Sequence, residues 1–117
     1  MTISSLADLP SSIPLLATWF HREWSSFDGR SVKMIEAQLA EDLNRGSIPV
    51  AFLALWDSNV IGTVSLDLSD LPSHDHLSPW LASLFVPPEA RGQGIGTALV
   101  HHAQEFAWSL GTRRLYL

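Results

Sequence analysis

The 117-residue sequence predicts a mixed α/β fold of the α+β kind, a mostly antiparallel sheet with helices on both faces. Three observations predict it. Apolar residues recur at helical spacing between residues 11 and 45, strand-length apolar runs separated by turn residues fill 48–86, and helical spacing returns after a glycine-rich turn at 91–96. The implied order is β-α-α-β-β-β-α-β, ending with a fifth strand.

A short first strand is placed at Thr2, Ile3 and Ser4. Ser11 and Ser12 before Ile13-Pro14 open the first helix, with Leu16, Trp19, Phe20 and Trp24 on one face. After Asp28-Gly29, Ser31 caps a second helix whose stripe is Val32, Ile35, Leu39 and Leu43; Arg45-Gly46 is its stop. Lys33, Glu36, Glu41 and Asp42 make up its solvated face. The runs 50–56 and 60–68, broken at Asp57-Ser58-Asn59, read as a β-hairpin, and a polar loop follows from Ser69 to Pro79. A third long strand, 80–86, stops at Pro87-Pro88, because proline cannot donate to a ladder. Ile95, Ala98, Leu99, His102, Phe106 and Leu110 then line a helix ended by Gly111, and 113–117 returns as a strand through a right-handed parallel crossover.

A chain of this length supports one hydrophobic core and not two, so residues 1–117 are read as a single domain. With 46% hydrophobic and 16% charged residues the chain is too apolar to stay disordered. Neither a membrane-length apolar run nor a secretory signal is evident, which predicts a cytoplasmic protein with no membrane partner. Cysteine is absent, so disulfides, thiolate metal sites and a thiol nucleophile are excluded. A net charge of −5, with Lys33 the single lysine, argues against nucleic acid. The acids are concentrated before residue 89. Beyond it, Arg91, Arg113 and Arg114 outnumber Glu89 and Glu105, so an anionic ligand meets least repulsion there.

The chemistry centres on Arg91-Gly92-Gln93-Gly94-Ile95-Gly96-Thr97. Glycines at alternate positions admit positive φ and close approach of a ligand, and the first N–H groups of the following helix lack intrahelical acceptors. With Arg91 beside it, such a helix start suits a pyrophosphate. A P-loop would need Gly-Lys-Ser/Thr, which is missing. A dinucleotide fingerprint would need G-x-G-x-x-G, whereas the sequence has G-x-G-x-G and no acidic residue near 115. The plain alternative is that the glycines only shape a tight turn.

At Arg91, Gly94 and Gly96 the sequence resembles the GNAT superfamily of N-acetyltransferases, whose coenzyme motif is Q/R-x-x-G-x-G/A. Leu84-Phe85-Val86-Pro87-Pro88 is similar to that family's strand-to-loop junction, and the element order agrees from the first strand to the fifth. The resemblance implies acetyl-coenzyme A as cosubstrate, no metal, and direct attack of a primary amine, on a small molecule or peptide, upon the thioester. It further implies that backbone groups of Leu84 and Val86 pair with the pantetheine arm. Arg91, Gly92, Gln93, Gly94, Ile95, Gly96 and Thr97 would surround the pyrophosphate, and a backbone N–H near Leu84 would polarise the thioester carbonyl.

Many members continue with a tyrosine-bearing helix and two more strands after the fifth. Here that part is absent, and Tyr116 lies on the expected strand, where it reads as packing. An open C-terminal strand then predicts pairing with a second copy or another chain. The same gap leaves open a second reading, a non-catalytic acyl-coenzyme A-binding module or an incomplete acetyltransferase that needs a partner.

Several relatives place a catalytic glutamate on the third or fourth strand, yet 80–86 holds no acid. The nearest candidates are Asp67, His74, Asp75 and His76, with a solvated strand end and an exposed loop as their plain readings. His74 and His76 lack an evident third ligand for a metal. His101 and His102 read as structural, and Trp19, Trp24 and Trp56 as core. Without an evident base an α-amine is favoured, since a lysine amine costs roughly 4 kcal/mol to deprotonate near neutrality.

Overall fold

The computed structural model describes residues 1–67, 79–112 and 115. Four antiparallel strands, β1 (Thr2–Ser5), β2 (Val50–Trp56), β3 (Asn59–Asp67) and β4 (Trp80–Phe85), lie side by side in that order. Helices α1 (Ile13–Asp28) and α2 (Val32–Ala40) cover one face, and α3 (Ile95–Ser109) covers the other. The sheet and helices agree with the sequence in kind and order. The expected fifth strand and its crossover lie outside the described residues, apart from Leu115, which packs on the α3 side.

Strand β2 explains why its sequence is an unbroken apolar run. Val50, Phe52 and Ala54 pack against Ile95, Leu99, Ala103 and Ala107 of α3, while Ala51 and Leu53 pack against Leu16, Ala17, Phe20, Ile35 and Leu39 of α1 and α2. A strand flanked by β1 and β3 and covered on both faces has no solvent side on which to place polar residues. The hairpin to β3 is a two-residue turn at Asp57 and Ser58, both with positive φ, the geometry that matches strand twist. Trp56, expected in the core, is exposed beside that turn. On β3, Gly62 faces α3: a Cβ there would lie 3.0 Å from both Ile95 Cγ2 and Leu99 Cδ1. Its missing side chain sets how closely the helix approaches the sheet.

Helix α1 begins after a 3-10 turn at Pro10–Ser12, without a side-chain cap from Ser12, and ends at Gly29 in the left-handed conformation. Ser31 caps α2 as expected, its hydroxyl accepting from Met34 N at 3.1 Å. The expected stop at Arg45-Gly46 is overturned, because α2 ends at Ala40. Asn44 Nδ2 donates to the carbonyls of Glu41 (3.3 Å) and Pro49 (2.7 Å) and so closes the chain early. Arg45 turns away to bond Asp8 Oδ1 at 2.8 Å and Ala7 O at 3.1 Å. A tight turn, with Asp42 N donating to Leu39 O at 3.0 Å, carries Asp42 inward and leaves Leu43 exposed. Asp42, expected on the solvated face, is buried.

Candidate functional site

The site grows out of an irregularity in β4. Thr63 pairs with Phe85 and Ser65 with Ala82, so two residue steps on β3 face three on β4. The extra residue is taken up around Ser83, whose φ of +52° is uncommon for a residue with a side chain. Leu81, before the bulge, packs on the α3 side. Regular alternation would also place Phe85 there; the bulge instead turns its ring toward α1. That ring lies 5.4 Å from Trp19 and 6.1 Å from Trp24, while Phe20 stacks tilted on Trp24 at 5.1 Å. Leu84 is displaced to the opposite side, beside α3.

Beyond β4, the prolines form a 3-10 turn, Pro88–Ala90, and Arg91 folds back over it. Its Nε donates to Val86 O at 2.7 Å, and its guanidinium carbon lies 5.8 Å from the Phe85 ring centroid. Arg91 thereby holds the turn against the end of β4 and is among the residues lining the hollow at the α3 start. Gly92 and Gly94 have positive φ, +82° and +78°, as the sequence suggests. Gly96 differs, because it is already helical and a Cβ there would meet only Val86 Cγ2, at 3.9 Å.

The first bond of α3 runs from Ala98 N to Gly94 O at 3.0 Å, so the N–H groups of Ile95, Gly96 and Thr97 have no intrahelical acceptor. They border a hollow of about 340 Å³ lined by Val86, Arg91, Gly92, Gly94 and Thr97 among others. A second hollow of about 480 Å³, lined by Leu84, Val100, His101 and Gln104, shares Gly96 and Thr97 with it. The two run along the side of α3 from its N-terminus. All of Leu84, Phe85, Val86, Arg91, Gly92, Gln93, Gly94, Ile95, Gly96 and Thr97 thus cluster at one strand-turn-helix junction. Phe85 faces away from the hollows and supports the junction from below.

Of the candidate bases, Asp67 is described, whereas His74, Asp75 and His76 lie outside the described residues. Asp67 ends β3 opposite Trp80 and is no simple solvated strand end: its carboxyl is hydrogen-bonded to that of Asp42. The Ser65 hydroxyl lies 3.2 Å from Asp67 Oδ2 and 3.1 Å from the Ala82 carbonyl. Burial pushes the Asp42 carboxyl up to about 8, with the Asp67 charge and hydrogen bond and then the Glu41 charge acting in the same direction. The pair borders a cavity of about 550 Å³ with Phe20, Arg30, Gln38, Ala82 and Ser83. The cavity touches the β4 bulge on the α1–α2 side. Asp42 escaped the sequence reading, although it stands three residues after Leu39 and seven after Ile35, a spacing that continues their buried stripe. His101 is exposed, 3.6 Å from Glu105. His102 packs edge-on against Phe52 at 4.7 Å, and burial lowers its pKa.

Comparison with known proteins places these features together. The sequence matches the model of the acetyltransferase (GNAT) family over residues 13–117. Among solved structures, a protein assigned to the GNAT family acetyltransferases from Staphylococcus aureus superposes with a TM-score of 0.79. The match is 14% identical and covers 100% of this chain and 99% of that one. A protein assigned as an acetyl transferase from Pyrococcus furiosus gives 0.71 at 26% identity, covering 99% and 80%. Aminoglycoside N-acetyltransferase AAC(6')-Iy, solved in complex with CoA, gives 0.74 at 20% identity, covering 98% and 74%. A search among curated proteins found no significant match.

Proposed function

This chain belongs to the acetyltransferase (GNAT) family, and from that premise we propose that it transfers the acetyl group of acetyl-coenzyme A to a primary amine. The observation that carries the reading is the junction of the bulged β4 with the N-terminus of α3. Unpaired N–H groups, two positive-φ glycines and an arginine converge there on one hollow. A pyrophosphate fits that donor set: the N–H groups of Ile95, Gly96 and Thr97 point along the helix axis toward it, and Arg91 adds charge. The adjoining hollow along Leu84 and Val100 suits the apolar and amide parts of the pantetheine arm. The bulge takes Ser83 and Leu84 out of register with β3, and a backbone N–H there would polarise the thioester carbonyl. The coenzyme supplies an activated acetyl group; the chain's own residues hold it, orient it and admit the amine. AAC(6')-Iy, of the same fold, is an N-acetyltransferase solved with CoA, which supports the reading.

Thermal unfolding with acetyl-coenzyme A, coenzyme A, NADH and ATP tests it. A ligand at about 100 times its dissociation constant adds roughly 2.7 kcal/mol, a rise of several degrees for a domain of this size. Acetyl-coenzyme A and coenzyme A are expected to raise the midpoint while NADH and ATP do not. Gly94→Glu should abolish the rise, and Arg91→Ala should weaken affinity by about tenfold, the loss of one charge-assisted contact. Equal shifts with ATP and acetyl-coenzyme A would overturn the assignment.

A further inference from the structure

Phe85 is in contact with both the aromatic side chains of α1 and the guanidinium of Arg91. Its backbone is paired with Thr63, and its side chain is buried. Trp19 lies 5.4 Å from the ring, Trp24 edge-on at 6.1 Å and Phe20 edge-on at 6.4 Å. A ring packed against three others keeps one orientation. Arg91 is the opposite case, an exposed side chain whose rotamer freedom is large and must be given up when it meets an anion. Its Nε–H, one of five N–H donors, is spent on the Val86 carbonyl at 2.7 Å. A single hydrogen bond fixes the nitrogen but leaves the guanidinium plane free to swing about it. The Phe85 ring supplies the second contact, with Cζ 5.8 Å from the centroid, within the reach of about 6 Å at which a cation is drawn to an aromatic face. An aliphatic residue at position 85 would pack against α1 as well, but only an aromatic ring presents a negative face to the cation.

We infer that Phe85 is a positioning residue for coenzyme binding: its ring holds the Arg91 guanidinium in place beside the α3 start before the diphosphate arrives. The inference rests on the acetyl-transfer reading. Arg91 lines the hollow that the N–H groups of Ile95, Gly96 and Thr97 border, so an arginine already fixed there meets the diphosphate without first losing its rotamer freedom, and affinity gains by that amount. Phe85 acts through Arg91 and touches no coenzyme atom itself. The bulge at Ser83 is what makes this possible, because it delivers the ring to the α1 side of the sheet, where Trp19 and Trp24 lock it. The hydrophobic face of α1 thereby contributes to an anion site on the far side of β4.

The test begins without coenzyme, on the Arg91 Nε–H signal in nitrogen–proton correlation spectra, assigned by its loss in Arg91→Ala. In wild type that proton is expected to carry the ring-current shift of Phe85 and to exchange slowly with water. In Phe85→Leu the shift should vanish and exchange should quicken by about fivefold. Calorimetric titration with acetyl-coenzyme A should then find the dissociation constant raised about fivefold by Phe85→Leu in wild type, and changed by less than about twofold when the same substitution is made in Arg91→Ala. Where transfer is measurable, KM for acetyl-coenzyme A should rise in Phe85→Leu while kcat holds. Circular dichroism confirms folding, and Phe85→Met repeats the series should Phe85→Leu not fold. An Nε–H signal unmoved by the loss of the ring, or an equal loss of affinity with and without Arg91, overturns the inference, since the ring would then serve packing alone. Failure of acetyl-coenzyme A to bind wild type overturns the acetyl-transfer reading instead, while the Nε–H signal still decides whether Phe85 holds Arg91.

Discussion

The carboxyls of Asp42 and Asp67 are hydrogen-bonded to each other, one from the turn after α2 and the other from the end of β3. Two carboxyls in such contact cannot both ionise cheaply, so the pair ties stability to pH. Asp42 has a folded pKa of about 8 against an ordinary 3.8, so the folded chain holds a proton that the unfolded chain has lost across that window. Its contribution is complete below about pH 4 and is lost as pH rises toward 8. Asp42→Asn removes the loss. Denaturant unfolding should find the variant more stable than wild type above pH 8, by on the order of 1–3 kcal/mol. Below pH 5 the difference should shrink. Arg30 and Glu41, also on the cavity wall, are unchanged by the substitution.

Gly94 and Gly96 should answer alanine substitution in opposite ways. At Gly94, φ is +78° and nothing crowds a Cβ, so Gly94→Ala meets only the left-handed backbone penalty, about 1–2 kcal/mol. Gly96 is helical with ordinary space, so Gly96→Ala should raise stability by up to about 1 kcal/mol. Thermal midpoints of the two variants decide the point.

Gly62→Ala places a methyl 3.0 Å from Ile95 Cγ2 and Leu99 Cδ1 and 3.4 Å from the Phe85 carbonyl oxygen. The helix cannot yield without moving the junction it begins, so a loss of about 1–3 kcal/mol is expected. Because α3 starts at that junction, acetyl-coenzyme A affinity should weaken in the same variant. A stable variant with unaltered affinity would show that the helix tolerates displacement.

His102 is kept neutral by burial against Phe52, with its pKa below the ordinary 6.5. A depressed histidine supports the fold above its unfolded pKa, and that support is lost as pH falls through 6.5 toward the folded value. Stability of His102→Leu should therefore decline less than that of wild type between pH 7 and 5, measured by urea midpoints. His101→Leu, at an exposed position, should not change the slope.

Much of this was legible in the sequence because it rests on local chemistry. Ser31 caps α2, Asp57-Ser58 turns the hairpin, Pro87-Pro88 ends β4, and Gly92 and Gly94 take the positive φ that glycine allows. What escaped depends on tertiary placement. The early end of α2 follows from Asn44 reaching Pro49 across the loop, a bond with no sequence signature. Asp42 is buried because that turn carries it under the sheet, and its partner stands 25 residues away on β3. The β4 bulge was equally hidden, since Trp80–Phe85 carries no glycine to announce it.

The extra residue at Ser83 acts as a phase slip in the pleat of β4. Upstream of it, Ala82 belongs to the face that carries the carboxyls; downstream, Phe85 takes that same face one step late, and Leu84 falls to the other. One strand thus addresses two compartments from neighbouring residues. Shortening it by a single residue would swap the destinations of an aromatic anchor and an aliphatic groove wall, although nearly every residue would still be present. In this stretch, counting carries as much information as chemical identity. A length change in β4 should therefore be far more damaging than most substitutions within it.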